Sequence, residues 1–358
     1  MPVPDKQPLR LALIGCGEVT REKHAPAINR LARVSVVALC DLDAARCRDV
    51  GTQFPGAQLC TDFREALSIP VLDAVGVLTD PASHAELAIA TMRAGKHVLI
   101  EKPLALVTAD AVRLIREARS ANVIAMTGFH MRFHRLIEQA RERIARGDLG
   151  EIETIRVIWH SPRGDKGIAA WKTTRATGGG ALVEIAVHHL DMVRFLLGTE
   201  FDWIHAASRN GTREDEAAVL AARMLNGVLV TGEFSERSPH EIEVVVSGKA
   251  GWLRVDCLKF DGLESRGYYD VPGQPSVRIR SLATFVRNLP EGMRTMQRGG
   301  DYRISYEESW RHFVGCVRQG IPTAVRLEDG LRAVEAVNAA VESVRTGQPQ
   351  RVGLEAGL

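Results

Sequence analysis

An apolar run that ends in glycine-x-glycine and passes directly into a helix-like segment leaves a chain few folds to choose from. Leu9-Arg-Leu-Ala-Leu-Ile14 reads as a buried strand, Gly15-Cys-Gly17-Glu-Val-Thr20 as a tight turn, and the residues through Leu31 as a helix. Gly15 permits the sharp turn. Gly17 lets backbone approach a dinucleotide's pyrophosphate, which the unsatisfied N–H groups of the helix start attract. Glu18 and Val19 are expected to border the same ligand, and Thr20 stands where a third glycine is usual. A second strand, Val34 to Cys40, ends on Asp41, twenty-four residues after Gly17 and near the acidic position of such folds. A carboxylate there accepts hydrogen bonds from both ribose hydroxyls and repels a 2′-phosphate, so NAD is expected over NADP. Arg46 and Arg48 keep NADP open, and capping of the next helix is the structural alternative for Asp41.

The alternation continues. Ala74 to Leu78 is a third apolar run, Pro81 to Ala94 has helical composition, a strand ends in Glu101, Thr108 to Ser120 is a helix and Val123 to Thr127 another strand. Strands alternating with helices predict a doubly wound parallel sheet, with ligands at the carboxyl ends of its strands. Thr79 and Asp80 lie at such an end and are expected to border the cofactor, with His84 one turn further on as a packing and hydrogen-bonding residue beside them. Glu101-Lys102-Pro103 closes the next strand. Proline fixes its own φ and has no N–H, so the chain turns there and aims the Lys102 ammonium. Lys102 is the first catalytic candidate, against the alternative of a surface Glu-Lys pair.

Beyond residue 130 the pattern changes. Leu136 to Arg146 looks helical, and strand-like runs follow at Ile152–Trp159, Trp203–Ser208, Ala217–Met224, Val228–Phe234, Ile242–Ser247 and Trp252–Asp256, predicting a largely antiparallel sheet. The domains are expected at 1–125 and 126–358, with a helix near 327–344. Gly178-Gly-Gly-Ala-Leu-Val-Glu-Ile-Ala-Val-His-His-Leu-Asp191 reads as a glycine turn entering a helix. Helical spacing puts Glu184, His188 and Asp191 near one face, with His189 turned away as a structural residue. That stripe could equally be a solvated face or a buried network. No H-E-x-x-H or paired-cysteine motif is present, so no metal is expected. Gly262 to Asp301, rich in proline and glycine, is expected to be a strand followed by a mobile substrate or subunit-contact loop.

The ordered set Gly15–Thr20, Asp41, Thr79–His84, Gly95–Pro103, Gly128–Phe133, Trp171 and Gly178–Asp191 resembles the glucose-fructose oxidoreductase and inositol dehydrogenase (Gfo/Idh/MocA) family over nearly the whole chain. The resemblance implies an amino-terminal Rossmann domain and a carboxyl-terminal α/β domain on a large open, mainly antiparallel sheet. It further implies homodimers or homotetramers formed through that sheet, and the helix near 327–344 packing back toward the Rossmann domain. The family's catalytic lysine falls on Lys102 and its histidine on His188. Glu184 occupies the position where inositol dehydrogenase-like members carry aspartate. The implied cofactor set adds Glu101 and Lys102 to the residues above, and the implied substrate set is Lys102, Arg132, Trp171, Glu184 and His188. The implied reaction interconverts a secondary alcohol and a ketone on a sugar, sugar derivative or cyclitol by hydride transfer. An NAD-dependent glycosidase working by transient oxidation, or a non-catalytic dinucleotide sensor, are the alternatives.

Composition narrows the partners. The 358 residues carry 45% hydrophobic and 25% charged side chains with a net charge of +2, which gives no argument for nucleic acid or an anionic membrane. Met1-Pro-Val-Pro-Asp-Lys does not read as a secretion signal, because the apolar run after it is short and enters the glycine turn. The six cysteines show no disulfide-scaffold spacing, so reduced thiols in the cytoplasm are expected.

Overall fold

The computed structural model describes residues 7–164, 168–271 and 273–353. Six parallel strands, β1 Leu9–Ile14, β2 Val34–Cys40, β3 Gln58–Cys60, β4 Ala74–Val77, β5 His97–Ile100 and β6 Ala125–Thr127, form one sheet in the order β3-β2-β1-β4-β5-β6. Helices α1 Ala25–Ile28, α2 Ala44–Gly51, α3 Phe63–Leu67, α4 His84–Arg93 and α5 Thr108–Ala121 lie between them in sequence. β1, β4 and β5 are apolar along nearly their whole length because helices cover both faces of the sheet. The strand order reverses between β1 and β4, the switch point where this architecture holds its ligands.

Eight strands make the second sheet, in the order β13-β12-β11-β7-β10-β9-β8-β14. They are β7 Ile152–His160, β8 Phe201–Arg209, β9 Ala217–Met224, β10 Leu229–Ser235, β11 Glu241–Gly248, β12 Gly251–Asp256, β13 Leu263–Gly267 and β14 Gln350–Arg351. β7 and β10 pair in parallel, and the other neighbours are antiparallel. In β9 the residues alternate between buried (Ala218, Leu220, Ala222, Met224) and more exposed positions, the mark of a sheet covered on one face. Five helices accompany it: α6 Arg135–Ala145, α7 Val187–Leu197, α8 Pro275–Gln297, α9 Asp301–Gln319 and α10 Leu327–Thr346.

The last two helices reach back across the molecule. Trp310 of α9 lies against Gly76 of β4, where a Cβ would come within 2.8 Å of the indole. Leu327, Leu331 and Val334 of α10 join Ile100 and Leu104 in the core of the parallel sheet, while Ala339 and Ala340 pack with the core of the second sheet. Residues late in the chain therefore help to enclose the first sheet.

Two local expectations are corrected. The stretch after β13 is not a loop: it forms the 23-residue helix α8, with Pro275 in its first turn and Pro290 in its interior. Proline is tolerated at a helix start because the missing N–H has no partner there. The helix after Gly178 does not begin as an α-helix. Ala181–Ala186 is wound as a π-helix and only then continues into α7, which displaces Glu184 from the regular α-helical stripe of His188. Among the described residues no helix is long and apolar enough to cross a membrane.

Candidate active site

The glycine turn follows β1 and lies directly against the end of β4. Gly15 has φ +97°, and a Cβ there would meet the Leu78 carbonyl group at 2.6 Å, so both its backbone angle and its neighbours exclude a side chain. Gly17 differs: a Cβ on it would meet no protein atom within 4 Å. That open space beside exposed Glu18 and Val19, ahead of the helical turns from Thr20 onward, fits the close approach of a pyrophosphate. Thr20 fills the place of the third glycine at no cost in packing, since it is fully buried and its hydroxyl donates to the Gly15 carbonyl at 2.7 Å. Asp41 ends β2 with Oδ2 accepting from the Cys16 N–H at 2.8 Å and Oδ1 from the Asp43 N–H at 2.9 Å. The helix cap itself is Asp43, which accepts from the Ala45 N–H. Thr79 and Asp80 are half-buried beside Gly15, and Ser83 donates to Thr79 Oγ1 at 2.7 Å.

Lys102 leaves the end of β5 and crosses to the second half of the chain. Its Nζ donates to the main-chain carbonyl of Glu184 at 3.0 Å. Burial pushes the ammonium below the ordinary lysine range, and the charges of Glu184 and Glu101 oppose that shift. His188 sits one turn beyond Glu184, stacked on Trp159 at 4.9 Å and edge-on to His130 at 5.3 Å. Burial, helped by the Lys102 charge, holds His188 well below the usual imidazole range, so the ring is neutral near pH 7. Among the described residues its buried Nδ1 has no hydrogen-bond partner.

Glu184 has different partners from those its spacing suggested. Its carboxylate accepts from Arg163 at 2.5 Å and pairs with Lys172 at 3.1 Å. Burial alone would raise this carboxyl; Arg163, Lys172 and Lys102 outweigh it and hold it at about 2. Trp171 precedes Lys172, whose ammonium lies 5.2 Å from the Trp171 ring centre. The glycine run makes this assembly possible. Gly178 has φ +103° and abuts Pro81, while a Cβ on Gly179 would sit 2.3 Å from the Lys172 carbonyl group.

Three expected site residues have their polar groups engaged within the protein. Arg132 is buried and its guanidinium is held by Asp191 in a bidentate pair, at 2.7 and 2.5 Å, and by Asp329 at 3.0 Å. It ties α7 to α10, and Asp191 thereby leaves the stripe proposed for Glu184 and His188. His84 is fully buried, with Nδ1 2.8 Å from the Pro103 carbonyl and Nε2 3.2 Å from that of Thr79, so it braces the Lys102 turn as a packing and hydrogen-bonding residue. Glu101 accepts from the Lys102 N–H at 3.0 Å, and its other oxygen lies 3.0 Å from His24 Nε2. Burial would raise the Glu101 carboxyl, but His24 and Lys102 bring it to about 2.

His24, Arg163 and Lys172 were not singled out in the sequence. The indole of Trp310 donates to His24 Nδ1 at 2.9 Å. An indole can only donate, so His24 Nδ1 accepts from it, and the opposite ring nitrogen faces Glu101. A chain of contacts thus runs from α9 to the backbone of Lys102. His189 is buried between Trp159 and Phe234, as a structural residue would be.

A parallel sheet with a glycine-lined switch point, beside a half-buried lysine and a neutral histidine on a second domain, defines a nucleotide-dependent oxidoreductase. Comparison with known proteins gives the same class. Residues 9–129 match the oxidoreductase family with the NAD-binding Rossmann fold, and residues 137–254 match the GFO/IDH/MocA C-terminal domain. This chain belongs to the Gfo/Idh/MocA family. It is 27% identical over 345 residues to a myo-inositol 2-dehydrogenase of Thermotoga maritima, covering 94% of this chain and 96% of that protein. A D-glucoside 3-dehydrogenase of Escherichia coli K12 is 30% identical over 191 residues, 53% of this chain and 54% of its own. The fold is shared with the WlbA dehydrogenase from Bordetella pertussis, solved with NADH and UDP-GlcNAcA, at TM-score 0.83 and 20% identity, covering 99% of this chain and all of that one.

Proposed function

We propose that this oxidoreductase uses NAD to interconvert a secondary alcohol and a ketone on a sugar, sugar derivative or cyclitol. The observation that carries the reading is the Lys102 ammonium reaching the carbonyl of Glu184, one helical turn from neutral His188. When bound, the nicotinamide ring supplies the hydride acceptor. Lys102 has three N–H donors, and one is directed at Glu184, which leaves two for the reacting oxygen. Their charge stabilises the alkoxide that develops as the hydroxyl proton leaves. His188 takes that proton, since its ring is neutral and its neighbours Trp159 and His130 fix the plane. Arg163 and Lys172 hold Glu184, so its carboxylate acts as an anchor for the π-wound segment and a rim for the substrate, with Trp171 beside it.

Preference for NAD rests on Asp41. Two backbone N–H groups hold its carboxylate at the end of β2, where the negative charge suits a free ribose and opposes a 2′-phosphate. The relatives named above act on an inositol and a glucoside, which supports a polyol substrate for this chain. The test is nicotinamide absorbance over a panel of inositols, aldoses, amino sugars and uronic or nucleotide sugars with each cofactor. Turnover with NAD on one of these classes supports the reading; sugar release without net NADH, or no turnover at all, refutes it.

A further inference from the structure

α8 is an amphipathic helix turned inside out. The residues it sets against its own fold are small or polar: Thr284 and Asn288 are half-buried, and Gly292 and Thr295 are buried, with Val277 at the start. Gly292 allows Phe260 to press onto the helix, where a Cβ would be 2.0 Å from that ring. Its apolar residues point the other way. Ile279, Leu282, Val286, Leu289, Met293 and Met296 are 37% to 67% exposed, and they recur at alternating spacings of three and four. That is the seam of a coiled coil, where apolar side chains at such spacing pack between two helices.

We infer that this seam is the contact between two copies of this chain, formed about a two-fold axis and separate from the open face of the eight-stranded sheet. Charge favours a like partner. The exposed positions flanking the seam are Ala283, Phe285, Pro290 and Gln297, with Arg278 the one charge, so two copies meet with little like-charge repulsion. Of the arginines set back from the seam, Arg280 pairs with Asp270 at 2.5 Å and Arg294 with Glu291 at 3.4 Å, so both charges are met within the chain and leave less for an acidic partner or an anionic membrane. Size agrees as well. Twenty-three residues span about 34 Å. The adjoining Tyr268 and Tyr269 are 70% and 88% exposed. Together the seam and the tyrosines hide on the order of 700 Å² per copy, near the size of a stable interface. A two-fold pairing uses the same patch twice, which this self-complementary seam permits.

The test is the mass in solution, by light scattering across a range of concentrations, of the full chain and of a Leu282→Glu/Val286→Glu double variant. Both positions lie away from Lys102 and His188, so NAD binding and turnover are expected to stay unchanged while the mass falls by half or more. A Val286→Cys/Leu289→Cys variant, near the middle of the helix, is expected to cross-link between chains, and the six native cysteines are all buried, so the readout belongs to the new thiols. Equal masses for wild type and charge variant, no cross-link, or sedimentation of the wild type with anionic vesicles that the charge variant abolishes would each overturn the proposal.

Discussion

Lys102 at the end of β5 donates to the main-chain carbonyl of Glu184, 82 residues further along the chain, across 3.0 Å. The π-wound turn Ala181–Ala186 presents that carbonyl, and Glu101 and His84 hold the lysine's own turn from behind. The ammonium is therefore fixed from both sides before any substrate arrives, which is the pre-organisation that electrostatic stabilisation of an alkoxide requires.

The pH profile follows from that burial. In the proposed role Lys102 acts in its charged form, and its depressed pKa means the proton is lost at lower pH than for an ordinary lysine. The alkaline fall of kcat/KM is expected below the usual lysine value of about 10.4. Lys102→Arg, which stays charged at all these pH values, is expected to abolish that limb while lowering the rate. A limb unchanged in the arginine variant would assign it to another group.

Glu184 should matter for stability as well as for turnover. Glu184→Leu leaves Arg163 and Lys172 without their shared carboxylate, a loss of about 3 kcal/mol for a buried pair that loses one partner. Glu184→Asp keeps the charge and is expected to cost about 1 kcal/mol. Denaturant unfolding of the two variants measures the difference. Equal stability of Glu184→Leu and wild type would mean the two cations are satisfied without it.

The two glycines of the nucleotide turn are predicted to behave differently. Gly15→Ala drives a methyl into the Leu78 carbonyl group from a positive φ, so it should lower Tm without any ligand. Gly17→Ala has free space in the protein alone and should leave Tm unchanged while weakening NAD binding by about tenfold or more, since overpacking at a filled site typically costs 1–3 kcal/mol. Thermal melts with and without NAD separate these effects, and equal NAD stabilisation of Gly17→Ala and wild type would place the pyrophosphate elsewhere.

Acid stability has a definite sign. Burial holds His130 at about 3, His134 at about 4 and His189 at about 3. Each is neutral in the fold and titrates near 6.5 once unfolded, so the unfolded chain binds more protons as pH falls. Their stabilisation is complete above pH 6.5 and is lost as pH drops toward the folded values, at up to about 1.4 kcal/mol per pH unit for each. Glu101 and Glu184, both held at about 2, add to the loss from about pH 4.3 downward. Unfolding measured from pH 7 to 4 should show the decline beginning near 6.5; a flat response to pH 5 would contradict the burial of these rings.

Much of the fold was legible because its signals are local. The alternation of apolar runs with helical segments and the Gly15–Gly17 turn fix the parallel sheet, and the successive strands from Ile152 to Asp256 announce the second one. Lys102 and His188 stood out for the same reason, each at the end or on the face of a readable element. What was missed depends on distant segments. Arg163 and Lys172 meet Glu184 from a stretch whose own pattern says little, and the π-winding that moves Glu184 off the His188 stripe leaves no periodic trace. His24 gains its place only through Trp310, 286 residues away. The expectation of a loop where α8 lies follows from Pro272, Pro275, Pro290 and Gly299-Gly300, which outweigh a spacing of three and four from Ile279 to Met296 in the same sequence. Arg132 looked available to substrate because Asp191 and Asp329, which occupy it, come from two other helices.

The central claim is that Lys102 and His188 act on one hydroxyl beside the nicotinamide. Single-turnover reduction of enzyme-bound NAD, with the polyol that the wild-type protein oxidises, tests it in Lys102→Ala, His188→Ala and the double variant. The account predicts that NAD still binds and that each single change slows hydride transfer by roughly 10² to 10⁴. It also predicts that the double variant loses far less than the product of the two, because the residues work as a unit. Wild-type hydride transfer in either single variant would contradict it.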